Sequence, residues 1–299
     1  MDKIMKHLED VFNKKMYFSE KGCVLINHAQ EMITRERIVI RDEKNICVPG
    51  CGLQLIYDTK LNAFTTKIED GYWIFVNKGV IEEQKTYLES FDWSFISDAE
   101  QKEKYIDNII EYGFYFIVFH EYAHIFCGHV DAGLNESKDK KAQECEADMF
   151  SMDYLIKYIE YNEEANDIKE ELEKMFLAVY FLFENMQKQN EIEGYNDKII
   201  QNYYDLDRIE KRDHPLDAQR ILYLYEMLNI VIVTDRVKVL PVKEDILEKL
   251  KRIKQLTNVE LPKRNNDYLI ANESIKDLQK TLKDIRIKIP RIGNKIENS

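Results

Sequence analysis

The chain has 299 residues, 44% of them apolar and 33% charged, with a net charge of −12. That balance belongs to a folded globular protein and excludes a largely disordered one. The acidic surplus argues against general nucleic-acid binding, which relies on an excess of Lys and Arg facing phosphates.

The first residues, Met1 to His7, carry charges throughout and lead into no apolar run, so no signal peptide is expected. Glu9 to Met32 has patchy apolar spacing that begins as a helix. Arg37-Ile38-Val39-Ile40 is short and β-branched, a strand signal. Cys47-Val48-Pro49-Gly50-Cys51 has the look of a metal half-site, but no second Cys/His pair accompanies it, and it reads as a loop with two thiols. Five scattered Cys suit free thiols in a reducing cytoplasm. Leu53 to Tyr57 alternates in part. Ala63 to Ile68, Glu69-Asp70-Gly71 and Tyr72 to Val76 form a stronger signal, because Asp-Gly between two β-prone runs marks a hairpin. A small antiparallel sheet is therefore expected ahead of a helical body.

Ser97-Asp98-Ala99-Glu100 fits a capping box, with Ser97 as N-cap and Glu100 reaching back. Tyr105, Ile106, Ile109 and Ile110 follow at helical spacing, and the helix should run through His124 to a stop at Gly128. Residues 131–141 are polar and form a loop. A second helix carries Glu144, Asp148, Phe150, Met152, Leu155 and Ile156. A third spans about 168–189, and another begins near Pro215. Past Pro241 come a Lys/Glu-rich helix, a loop around Leu261-Pro262 and a last helix near 273–286. The apolar runs Phe114–Phe119 and Met175–Phe183 fall short of the roughly 20 residues needed to cross a bilayer, and read as buried helix segments. The expected class is α+β, with residues 1–240 as the catalytic domain and 241–299 as a helical accessory region.

The chemistry-bearing stretch is His120-Glu121-Tyr122-Ala123-His124. Positions i and i+4 share one helix face, so both imidazoles can reach one metal ion, and Glu121 can take a proton from water activated there. A carboxylate from the Glu144-Cys145-Glu146-Ala147-Asp148 helix can complete the set, leaving a position open, which is the ligand pattern of a catalytic zinc centre. Glu144 and Glu146 compete for that place, about 200° apart around the helix. Asp148, four residues beyond Glu144, shares its face. Cys127 and Val130 stand where a metzincin needs Gly and a third His, which excludes that class. His129 is out of that register by one residue and is expected on a surface or loop.

These two motifs, with His214-Pro215-Leu216-Asp217-Ala218-Gln219-Arg220, resemble the minimal gluzincin core shared by HtpX-type membrane peptidases, ImmA/IrrE-type regulators and Lit-type phage-exclusion peptidases. The strands before the metal helix, including Asn62-Ala63-Phe64, are also similar to that core. The resemblance covers roughly residues 50 to 230. Soluble character, length and Gly128-His129 lean toward the Lit type. The resemblance implies a gluzincin-like helical metallopeptidase core with Glu144 as the third zinc ligand and Asp148 beside a ligand imidazole. It also implies His214 at the reacting carbonyl oxygen and Arg220 tying its helix to the carboxylates.

The expected activity is a cytoplasmic, soluble zinc endopeptidase acting on a restricted set of protein substrates, with phage defence or regulation as its setting. The alternative is a metal-dependent regulatory binding protein that cuts little or not at all. No nucleic acid and no membrane is expected as a partner. Substrate is expected to lie extended along a sheet edge near Tyr72–Val76, against Trp73, Ile74 and Phe75.

Overall fold

The computed structural model describes residues 2–44, 49–132, 137–161 and 168–192, together with residues 220, 249, 252 and 253. Helices α1 (Asp2–Phe12) and α2 (Glu20–Lys44) precede the strands β1 (Cys51–Ile56), β2 (Ala63–Ile68) and β3 (Gly71–Asn77). There follow α3 (Gly79–Glu89), α4 (Ala99–Phe126), the short α5 (His129–Ala132), α6 (Ser137–Tyr161) and α7 (Ile168–Ile192). The class is α+β, mostly helical. His214, the helix expected after Pro215 and the one near 273–286 lie outside the described residues.

The N-terminal helical expectation resolves into two helices, separated after Phe12 where Asn13 takes a positive φ of 51°. The strand signal at 37–40 is overruled. Leu25, Ala29, Met32 and Ile33 form the buried stripe of α2, while Ile38 and Val39 ride on its exposed side. Their β-branching had no sheet to pack into.

The sheet has the order β1-β3-β2, with β2 antiparallel and β1 parallel to β3. The antiparallel expectation is therefore corrected to a mixed sheet. Alternation identifies strands but not their order. Here residues 57–62 carry the chain past one strand position, and β3 returns into the gap. That crossing is pinned by backbone: Lys78 N–H donates to Ile56 O, Gly79 N–H to Asp58 O and Asn77 N–H to Asn62 O, each at 3.0 Å. The hairpin turn is Glu69-Asp70, with Ile68 opposite Gly71 and Glu69 at φ 54°.

One sheet face packs on the helices through Leu53, Leu55, Ile74 and Val76; the other is covered by α1 through Leu8, against Ile56, Ile68 and Phe75. The outer edge of β1 is engaged by residues 15–17, where Tyr17 N–H donates to Leu55 O and Tyr57 N–H to Lys15 O. No strand among the described residues pairs with the outer edge of β2.

Helix α4 is the axis of the described residues, with α3, α6, α7 and the strands β2 and β3 packed around it. Residues 112–120 are buried without interruption, as a helix surrounded on every side requires. Its N-cap is Asp98, whose side chain accepts from Gln101 N–H at 2.7 Å, one residue later than the expected Ser97 box. It ends through Cys127 at Gly128, whose φ of 76° is the left-handed conformation glycine adopts without penalty. Ile253 is buried against the same core, and its carbonyl accepts from Asp92 N–H. Among the described residues, no helix is long and apolar enough to cross a membrane.

Two glycines test this packing in opposite directions. A Cβ on Gly79 would sit 2.1 Å from Thr59 O, in the crossing loop; one on Gly113 would meet Ala178 O at an ordinary 3.8 Å. Gly79→Ala should cost about 1–3 kcal/mol. Gly113→Ala, in a helix interior, should add about 0.5–1 kcal/mol. Urea unfolding midpoints should move apart accordingly, and a Gly79→Ala midpoint at or above the parent's would contradict the crossing geometry.

Candidate metal centre

His120 and His124 face the same side of α4, and their Nε2 atoms lie 3.2 Å apart. Helix α6 crosses α4 closely, with Phe119 stacked on Tyr154 at 3.8 Å between centroids and Ser151 Oγ–H donating to Phe116 O at 2.6 Å. This crossing delivers Glu144, whose Oε2 is 3.2 Å from His120 Nε2 and whose Oε1 is 3.5 Å from His124 Nε2. Ligands about 2.0–2.1 Å from a tetrahedral zinc stand about 3.3 Å from one another. The three donor atoms are thus spaced as that ion would need.

The proton inventory agrees. Asp148, fully buried, accepts from Arg220 Nε–H at 2.8 Å and Nη2–H at 2.6 Å. Burial alone would raise its carboxyl, but the Arg220 guanidinium and then His120 outweigh it and hold the pKa down to about 2. An ionised carboxylate only accepts, so the 2.8 Å contact with His120 Nδ1 puts a proton on Nδ1 and leaves the Nε2 lone pair facing Glu144 in the neutral ring. Burial works against protonating His120, yet Asp148 and Glu144 raise it to about 10. Burial lowers His124 to about 3, helped by the neighbouring imidazoles. The carboxylates of Asp148 and Glu144 thus favour a proton on His120, while burial keeps one off His124.

Glu121 is half-buried on the neighbouring face of α4, and Thr65 of β2 holds it: Oγ1–H lies 2.8 Å from Glu121 Oε2 and 3.1 Å from its carbonyl. Burial pushes the Glu121 carboxyl above the usual range, opposed by His120 and the Thr65 hydrogen bond. Arg220 also lies over the Phe183 ring, 4.2 Å from its centroid, which joins the ion pair to α7. Cys145, between the two glutamates, is a buried thiol pushed up to about 12 by burial, and so stays protonated.

The structure therefore brings together His120, Glu121, His124, Glu144, Asp148 and Arg220. His214 lies outside the described residues. Trp73, Ile74 and Phe75 do not form a sheet edge: β3 is the central strand, paired on both sides, and Ile74 and Phe75 are fully buried in the two cores. A strand-adding peptide has no access there. His129 is not on the surface either. It is buried, with Nδ1 2.9 Å from His124 Nδ1 and Nε2 3.2 Å from Glu146 Oε2. The sequence reading missed Thr65, set His129 on the surface and weighed Glu146 only as a rival ligand. Strand alternation turns Thr65 rather than Thr66 toward the helices. The Gly128 turn, folding His129 back under α4, was the usable signal for the other two.

Asp148→Asn keeps the shape of the side chain but removes the charge facing a buried guanidinium. The metal-free protein should lose about 3–5 kcal/mol. Chemical denaturation checks this, and a loss below about 0.5 kcal/mol would mean that the pair does not hold α6 to Arg220.

A family model described as Peptidase U49 matches residues 81–232, just over half of the chain. The matched segment runs from within α3 beyond Arg220, so it contains every proposed ligand and both motifs' carboxylates but leaves the sheet outside. Comparison with curated proteins and with solved structures returns no match.

Proposed function

Since the chain belongs to the Peptidase U49 family, we propose that it is a zinc-dependent endopeptidase hydrolysing peptide bonds in a narrow set of protein substrates. The observation carrying this reading is the mutual spacing of His120 Nε2, His124 Nε2 and the Glu144 carboxylate, 3.2–3.5 Å. Two imidazoles with one carboxylate is a catalytic rather than structural zinc set. Thiols at Cys23, Cys51 and Cys145 outside any disulfide favour a reducing cytoplasm as its setting, and the Lit-type resemblance favours phage exclusion or stress regulation as its role.

Zinc bound there supplies Lewis acidity to the attacking water and the scissile carbonyl. Glu121 serves as general base: Oε1 takes the proton from water while Oε2 stays with Thr65, and the proton then passes to the leaving nitrogen. Its upward-shifted carboxyl is a stronger base than an exposed glutamate. Asp148, fixed by Arg220, keeps the His120 ring in the tautomer that presents Nε2. His214 is assigned the hydrogen bond to the developing oxyanion, a task worth about 2.7–4 kcal/mol where such donors have been removed. The substrate strand is assigned to the outer edge of β2 instead of β3, since Thr65 places that strand beside Glu121.

Glu121→Gln preserves the size of the side chain and the oxygen facing Thr65 but removes the base. Bound zinc, measured by elemental analysis, should equal the parent's, while turnover falls about 10²–10⁴-fold. In cells, new protein N-termini should appear with the parent and not with Glu121→Gln. Identical termini in both would refute hydrolysis by this centre and favour a metal-dependent binding protein.

A further inference from the structure

The contacts of His129 are not used by the chemistry above, and they concern the far side of a proposed ligand. Helix α6 reaches His124 twice. Glu144 faces its Nε2, and Glu146, on the other side of α6, meets His129, whose Nδ1 lies 2.9 Å from His124 Nδ1. His129 and Glu146 are both buried, at 8% and 5% exposure, too dry for water to satisfy them casually. The two imidazoles meet edge to face, with centroids 5.0 Å apart and planes at 66°.

Hydrogen-bond direction then follows from the end of the row. A carboxylate oxygen accepts, so the 3.2 Å contact with Glu146 assigns the donor hydrogen to His129 Nε2. Its Nδ1 is left with a lone pair and accepts from His124 Nδ1–H. That fixes the one remaining His124 lone pair on Nε2, pointing at His120 and Glu144. His120 reaches the same state from the opposite side through Asp148. Each ligand ring thus has its own carboxylate anchor, direct for His120 and relayed through a second imidazole for His124.

We infer that His129 and Glu146 form a positioning pair that sets the tautomer and ring orientation of His124 for zinc. This inference rests on the zinc reading above. The rival use of the same residues is a second metal site, since donor atoms of Cys127, His129 and Glu146 lie within 4.8 Å of one another. The two uses are incompatible. An ion on His129 Nε2 sends that ring's proton to Nδ1, reverses the bond to His124 and drives a proton into the centre at His124 Nε2. An ion on His129 Nδ1 breaks the contact altogether. The observed 2.9 Å contact between the two Nδ1 atoms speaks against an ion on His129 Nδ1, and the count of bound ions separates the positioning role from an ion on Nε2.

The test uses the full chain stripped of metal, titrated with zinc chloride against a competing chelator, then loaded with Co²⁺ for its visible absorption. The parent should bind one equivalent. His129→Ala and Glu146→Leu should still bind one equivalent, about 10–100-fold more weakly, with shifted Co²⁺ bands. Glu146→Gln, whose amide oxygen still accepts from His129, should return affinity and spectrum toward the parent's even if the two harsher variants fold poorly. Parental affinity and spectrum in His129→Ala and Glu146→Leu, alongside lost binding in Glu144→Ala, would overturn the pair and leave the zinc reading intact. Two equivalents in the parent, one of them lost in His129→Ala, would overturn it in favour of a second ion. A parent that binds no zinc would remove the zinc reading and the inference with it.

Discussion

Two imidazole nitrogens and a carboxylate, all within 3.5 Å of one another, make a cluster of acceptors in a largely dry interior. Lone pairs crowded in this way repel unless a proton or a metal ion stands among them. Burial depresses the basicity of His124, while Asp148 and Glu144 raise that of His120. Every feature around the cluster works to keep its members from turning away. Arg220 keeps Asp148 ionised, Asp148 holds His120, and Thr65 holds Glu121.

The fold supplies this by rigidity at the axis. Helix α4 is buried on all sides from residue 112 to 120, so its two histidines cannot change register without disturbing the whole core. Helix α6 is fixed across it by ring stacking and by Ser151, which sets the height of Glu144 to the histidine pair. The sheet lies against the same helix and leaves β2 as the strand beside the site, because the loop over 57–62 places β3 in the middle. The parallel β1–β3 pairing and the β2 edge, which no strand among the described residues pairs, are therefore two results of one chain crossing.

Much of the candidate site was legible because its chemistry is local in sequence. His120, Glu121 and His124 lie within five residues, and helical spacing alone puts the histidines on one face. Glu144 required the resemblance, since Glu146 was an equal competitor on residues alone. The structure uses both, one on each side of His124. Tertiary relations were hidden. Strand order, the threonine from β2 and the burial of His129 depend on which elements meet, and no period in the sequence encodes that. The β-branched run at 37–40 misled for the same reason, since its partner surface, not its propensity, decided its state.

The most direct measurement is a crystal structure of the zinc-loaded chain, with anomalous differences collected on both sides of the zinc edge. One strong peak is expected about 2.0–2.2 Å from His120 Nε2, His124 Nε2 and a Glu144 oxygen. No peak among those three atoms, or a peak at Cys127, His129 and Glu146 in its place, would contradict it.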